Sequence, residues 1–494
     1  MEKSIWSRNG IKSFDEQSGN VQCRILIVGG GLCGLLCALE LIENGVGGSD
    51  IVLIDSYRVF SGTSQHTTGK LTSQHGLIYN KIDRAFGIEY ARQYANANEN
   101  AIDRAFAIAK QLNIPDAIQS SNAFVYAQNE FERKKLEKEC AIASKCGINC
   151  DVVSTTELPF KITGALKFKN QAAIMPEIFA NSIVDYITEK GCTIYENTTA
   201  LAIKKNVVTT DKGKIFAEKT VISTRFPFVD KRGLYFFKLY QQRSYLLALD
   251  GAQRLRDYYI GANENALTFR QVGSKLILGG SSSRSGDRNS SHFYELIGKA
   301  AELFRDCEVT EKWSAEDCMT HDHIPYIGIN HSIPDTYIAT GFNKWGISSS
   351  FAAAEVITDL ILHGFSEYSS VFSPKRDLLR GGKKSLFANA AEISADYLKS
   401  VDVPKTEIKD IKKGCGCIAS DGKKKVGAYR DENGAFHLIA PYCTHMKCQL
   451  RWNKEEHCWD CPCHGSRFSI SGKVISGPAM KSVECSDVQQ SADN

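Results

Sequence analysis

The stretch RILIVGGGLCGLLCALELIENGVGGSDIVLIDS, residues 24–56, limits the possible folds more than any other part of the chain. Residues 25–28 are a short apolar run with the character of a buried strand. Gly29, Gly31 and Gly34 follow, then an apolar helical pattern, then a second strand that ends at Asp55. In such a unit the first glycine permits a tight turn. The second lets the backbone approach a pyrophosphate, and the third allows close helix–strand packing. The free N–H groups of the helix N-terminus favour an anion there, and an acid at the position of Asp55 can accept hydrogen bonds from an adenosine ribose. The pattern predicts a Rossmann-like dinucleotide site. The glycine cluster interrupts the apolar run, which therefore reads as strand, turn and helix rather than as a membrane span.

Four later segments favour FAD over NAD. SGTSQHTTGKLTSQHG (61–76) is rich in small polar residues and suits a loop along an extended cofactor; it contains Thr63, Thr67 and Thr68. KTVIST (219–224) is a strand ending in hydroxyl residues, and DHIPYIG (322–328) precedes another strand. YIATGFNKWGISSSFAAAEVI (337–357) repeats the strand–glycine–helix theme through Gly341, Lys344 and Gly346. In this order, these motifs resemble those of the D-amino-acid-oxidase-type flavoproteins, the group that includes glycine oxidase and sarcosine oxidase. The resemblance covers about the first 375 residues.

It implies a Rossmann-like α/β FAD domain assembled from segments near 20–80, 165–225 and 320–365. A β-sheet substrate domain would come from about 81–164 and 226–319. The reaction it implies is oxidation of the C–N bond of an amine or amino acid by hydride transfer to the flavin. Catalytic residues do not carry over cleanly. Lys70 and Lys344 sit in expected flavin loops, where a cation can stabilise reduced flavin or simply face solvent. His66 and His75 are candidates for lining the flavin pocket, with His323 and Tyr245 as further candidates. Arg243 can hold a substrate carboxylate or a structural ion pair.

Near the C-terminus, CTHMKCQLRWNKEEHCWDCPCHGSRF (443–468) sets Cys443 beside His445 and Cys461 beside His464, with 15 residues between the two pairs. Thiolate and imidazole together would suit a structural zinc. CPCHGSRF and the downstream SGKVISGPA (471–479) instead resemble a Rieske [2Fe–2S] domain, an all-β module in which two cysteines hold one iron and two histidines the other. The resemblance implies Cys443, His445, Cys461 and His464 as ligands, and a disulfide between Cys448 and Cys463 as in the cytochrome bc-complex type. It also implies a hydroxyl donor at Ser466, and places Phe468 where that type carries a tyrosine. Fewer donors to the cluster sulfurs imply a lower potential.

The expected boundary lies near 390, with the flavoenzyme in 1–390 and the Rieske domain in 391–494. Residues 376–398 read as a polar helical linker, and GKKKVGAYRDENGAFHLIA as a β-hairpin. The net charge of +4 is too mild to argue for nucleic acid or a membrane surface. The N-terminal stretch lacks the apolar core of a signal peptide, so a cytoplasmic location is expected. Eight of the seventeen cysteines fall at or after Cys415, a local clustering that points to metal. The fused modules imply a small-molecule substrate and an external electron acceptor or donor.

Overall fold

The structure, a computed structural model, describes residues 4–6, 10–229, 233–263, 265–287, 291–399, 404, 406–422 and 424–485. The glycine-rich unit lies at the centre of an eight-stranded sheet. The main path of this sheet runs Tyr326–Ile329, Thr336–Thr340, Lys214–Ile222, Val21–Val28, Ile51–Ile54, Thr193–Tyr195. Apart from the antiparallel edge at Tyr326–Ile329, these strands pair in parallel. Parallel strands are covered on both faces, which is why Ile25 to Val28 form an unbroken apolar run and are buried throughout. Helix α1 (Leu32–Glu43) packs on this sheet beneath the helices Pro176–Glu189 and Gly346–Leu362.

A nine-stranded sheet lies beside it, running Glu308–Thr320, Leu239–Asp250, Lys275–Arg284, Thr268–Val272, Tyr258–Gly261, Ile118–Ala127, Gly164–Ile174, Lys70–Leu71 along its main path. Helices α2 (Tyr79–Phe86), α3 (Ile88–Gln111) and α4 (Glu130–Lys145) accompany it. Two expected segment assignments change here. Gly164–Ile174 belongs to the second sheet, not to the first, because it pairs along its length with Ile118–Ala127. Lys70–Leu71 also crosses to the second sheet and pairs with Ala172 and Ala173. The chain returns to the first sheet's layer with the helix Pro176–Glu189.

The C-terminal part is built from a three-stranded and a four-stranded antiparallel sheet around Tyr429, Ile439, Leu450, Trp459 and Phe468. Lys425–Arg430 and Phe436–Ile439 pair as the expected hairpin, with Gly434 at φ +96° in the turn.

The helix Leu378–Lys399 is continuous through the expected boundary at 390 and is not a solvated linker. A Cβ at Gly382 would lie 2.7 Å from the Cβ of His321, Leu386 is buried, and Ile393 packs on the C-terminal core. One rigid helix thus rests on both parts. No helix among the described residues is long and apolar enough to cross a membrane.

Candidate functional site

The glycine turn opens into a cavity of about 1820 Å³. That exceeds the roughly 300–1,000 Å³ typical of a single small ligand, and leaves room for an extended cofactor and a substrate. Gly29 adopts φ +114°, a conformation that disfavours any side chain. A Cβ on Gly34 would sit 1.9 Å from the Gly29 carbonyl oxygen, so this glycine is required for the helix to meet the strand. A Cβ on Gly31 would meet only the Ser64 hydroxyl, at 3.1 Å. The open face of Gly31 lines the cavity, as a pyrophosphate-binding turn requires. Asp55 accepts N–H bonds from Gly30 and Tyr57, both at 2.8 Å, and also lines the cavity. These residues fit an adenine dinucleotide.

The structure brings Thr63, His66, Thr67, Thr68, Lys70, Gly341, Lys344 and Gly346 to the same cavity, together with His75 and His323. Burial, with Arg270 nearby, lowers Lys70 to about 7; its ammonium bonds the Thr268 hydroxyl. Lys344 reaches Ser282 Oγ at 2.9 Å. Burial lowers His66, whose ring is 2.9 Å from the Gly62 carbonyl. His75 is lowered to about 3 by burial. It is held between the Tyr94 hydroxyl at 2.6 Å and Ser348 Oγ at 2.8 Å, and stacks on Trp345. It is therefore a neutral, fixed wall. Burial lowers His323 to about 4, with Lys81 adding to the effect.

Arg243 and Tyr245 do not line the cavity. Tyr245 stacks on His292 in the core of the second sheet. Arg243 is buried against Asp460 at 2.9 Å, Glu456 at 2.7 Å and Glu316 at 3.5 Å. Arg467 adds bonds to Asp460 and Glu456, both at 3.0 Å, and Arg225 pairs with Glu316 at 2.8 Å. Three arginines and three acids thus close a buried network between the two parts of the molecule. Burial alone would raise Glu316, but Arg225 and Arg243 outweigh it and hold the carboxyl below its usual range. Asp317 next door is raised to about 6, with burial dominant over Lys344 and Arg225. Sequence reasoning missed Arg225, Glu316, Asp317, Asp460 and Arg467. Of these, only Asp460 and Arg467 lay inside a motif, the stretch 443–468.

In the C-terminal part, two tight loops face each other. One is closed by Cys443 N–H to the Cys448 carbonyl (2.9 Å), the other by Cys461 N–H to the Ser466 carbonyl (2.8 Å). Cys448 and Cys463 join the loops through a disulfide. The sulfurs of Cys448, Cys461 and Cys463 lie within 4.8 Å of one another, but the disulfide consumes two of them, so this trio is not a metal site. Cys443 and Cys461 are fully buried. The rings of His445 and His464 are 5.0 Å apart and perpendicular. Two thiols and two imidazoles on linked loops fit a [2Fe–2S] cluster held by two cysteines and two histidines. Ser466 is buried between the loops and its hydroxyl accepts from Ala479 N–H at 3.0 Å.

The histidine edge faces the flavin part. Phe226 meets His445 edge-on at 6.3 Å, and Phe236 meets His464 at 6.4 Å. Gln241 Nε2 donates to the carbonyls of His464 (2.6 Å) and Gly477 (3.2 Å). Phe226, Arg467 and residues 474–477, 479 and 480 also line the dinucleotide cavity. One chamber is therefore walled by both parts.

Fold and donor sets define an oxidoreductase that works with a flavin and an iron–sulfur cluster. Residues 24–360 match the model of the FAD dependent oxidoreductase (DAO) family, and residues 401–487 match that of the Rieske [2Fe-2S] domain. The chain belongs to the FAD dependent oxidoreductase family and carries a C-terminal Rieske domain. Its cofactors are FAD and a [2Fe–2S] cluster. A Bacillus subtilis (strain 168) chain described as the Rieske 2Fe-2S iron-sulfur protein YhfW is 35% identical over 491 residues, covering 97% of this chain and 96% of its own length. Among solved structures, L-proline dehydrogenase from P. horikoshii matches with a TM-score of 0.61 at 16% identity, over 72% of this chain and 98% of that one. Glycine oxidase from Geobacillus kaustophilus matches with a TM-score of 0.61 at 18% identity, over 72% of this chain and 99% of that one. Both structural matches show the fold.

Proposed function

We propose that the protein oxidises the C–N bond of an amine or amino acid and passes the electrons from the flavin, one at a time, to the Rieske cluster and then to an external acceptor. The observation that carries this is the shared chamber: the loop 474–480 beside the cluster and the glycine turn at Gly31 line one cavity. The names of the two structural relatives, both amino-acid enzymes, support the substrate class. Bound FAD would supply a hydride acceptor and the cluster a one-electron carrier.

The chain's own residues do the rest. Gly29, Gly31, Gly34 and Asp55 would hold the adenosine end, and Thr63, Thr67, Thr68, Gly341 and Gly346 the remainder of the cofactor. Lys344 and Lys70 would place cations at the flavin, and Lys70, held near neutrality, is suited to moving a proton. His66 and the neutral His75 shape the pocket. Cys443, His445, Cys461 and His464 would hold the iron, with the His445 ring against Phe226 on the side that faces the flavin part. We assign the flavoenzyme to residues 1–390, the Rieske domain to 391–494, and the protein to the cytoplasm, where burial of Cys448 and Cys463 shields their disulfide from reductants.

The test is anaerobic rapid mixing of the holoprotein with amines and amino acids. A true substrate bleaches the flavin first, and the reduced-cluster signal follows. A substrate that bleaches the flavin through many turnovers while the oxidised cluster stays silent would overturn the electron route. It would leave instead an oxidase that uses O₂, with an accessory Rieske domain.

A further inference from the structure

One side of the cavity has a charge asymmetry that the redox reading does not use. Helix α4 is rich in charges of both signs, but the structure sorts them. Glu130 and Glu137 turn to Arg133, at 3.8 and 3.5 Å. Glu132 accepts N–H bonds from Gln128 at 2.9 Å and Asn263 at 3.1 Å. Glu139 reaches the cavity, but its carboxylate accepts the N–H groups of Tyr79 and Asn80, at 2.6 and 3.0 Å, and burial raises it to about 7. Every acid in the first part of α4 is thus already held by a partner.

The other residues that α4 presents to the cavity are Phe131, Lys135 and Lys138, a stripe at helical spacing. All three are exposed. The Lys135 ammonium sits 4.3 Å over the Phe131 ring. Lys81 and Arg84, on α2, line the same side and are also exposed. Lys81 is near enough to His323 to add to the lowering of that ring's pKa, which connects this rim to the flavin end. The other acids of the cavity lie elsewhere: Asp55 at the glycine turn, Glu316 and Asp317 beside Arg225.

We propose that Lys81, Arg84, Lys135 and Lys138 form an anion-recognition rim, and that the substrate carries a carboxylate or phosphate group at the end remote from its reacting C–N bond. The proposal rests on the oxidoreductase reading of the cavity. A low-dielectric cleft lined by one sign of charge concentrates ligands of the opposite sign and orients them on entry. An anion at the rim would leave the opposite end of the molecule pointing inward, towards Lys344 and His323.

Binding can be read without turnover. FAD-loaded full-length protein is titrated by calorimetry with glutarate and with glycerol 3-phosphate, and in parallel with glutaramide and glycerol as neutral counterparts. At least one anion is expected to bind where its counterpart does not, and the tighter of the two anions identifies the group. Lys135→Glu/Lys138→Glu is expected to weaken that binding by about tenfold or more, and added salt to weaken it in the wild type. Should the double variant not fold, Lys135→Gln alone is expected to give a smaller loss in the same direction. Failure of both anions to bind overturns the proposal, as do neutral counterparts that bind equally well or charge-altered variants that bind as wild type does. The two readings fail separately. Anion binding with a silent cluster refutes only the electron route, and absent anion binding with normal cluster reduction refutes only the rim.

Discussion

Phe468 is fully buried, opposite Trp459 in the four-stranded sheet, on the strand that follows the Cys461 loop. Phe468→Tyr adds one hydroxyl donor there. The midpoint potential of the cluster is expected to rise, within the roughly −150 to +300 mV span of such centres, and potentiometric titration reads the shift. An unchanged potential would show that this ring edge does not face the cluster sulfurs. Lys70 gives a prediction in pH. Its folded value near 7 lies below the ordinary 10.5, so between those values the unfolded chain holds a proton that the folded chain lacks. The contribution of Lys70 to stability is therefore least favourable below about pH 7, and improves with a slope of up to about 1.4 kcal/mol per pH unit through that window. Lys70→Met should remove this slope, as seen by denaturant unfolding of cofactor-free protein at neutral and alkaline pH. At this scale the sequence was legible where chemistry is local. The Cys-x-His and Cys-x-x-His pairs lie within single loops. For Arg243 a structural ion pair was legible but its partners were not, because the acids it meets at Glu456 and Asp460 are 213 and 217 residues away.

Elements built from short-range contacts were equally readable. The strand, turn and α1 are joined by Gly29, Gly31 and Gly34, whose roles separate cleanly in space. Gly34→Ala would force a methyl against the Gly29 carbonyl and should destabilise the protein by about 1–3 kcal/mol or more, visible as a lower thermal midpoint even without cofactor. Gly31→Val projects into the open cavity instead. It should leave the helix content intact and abolish FAD binding, measured as flavin released on denaturation. If Gly31→Val retains its flavin, the pyrophosphate does not lie at this turn. The strand Gly164–Ile174 shows where reading stops. It is buried over most of its length, and membership of a sheet depends on partners elsewhere in the chain, here Ile118–Ala127. For the helix Leu378–Lys399, a polar composition suggested a linker, yet two glycines let it lie flat on His321 and Phe86.

Across the whole molecule, the six-residue ionic network holds the Rieske part against the flavin part. Arg243→Met would leave Asp460, Glu456 and Glu316 short of a buried counter-charge. Removing one member of a buried ion pair typically costs about 3–5 kcal/mol, so denaturant stability should fall by that order. Flavin reduction by substrate should persist while filling of the cluster slows, since the loosened contact lies between the two centres; rapid mixing separates the phases. Equal slowing of both would place the network's effect on the flavin pocket itself. The chamber wall contributed by Arg467 and residues 474–480 bears on how the holoprotein is made. Synthesis proceeds from the N-terminus and domains generally fold as units in that order, so the glycine turn and its cavity exist before the segment that closes them. A nucleotide arriving on the nascent chain meets an open trough; one arriving after release meets a walled vestibule. Biogenesis therefore favours early loading, and Arg467 with residues 474–477, 479 and 480 would then stand in the way of the cofactor's escape.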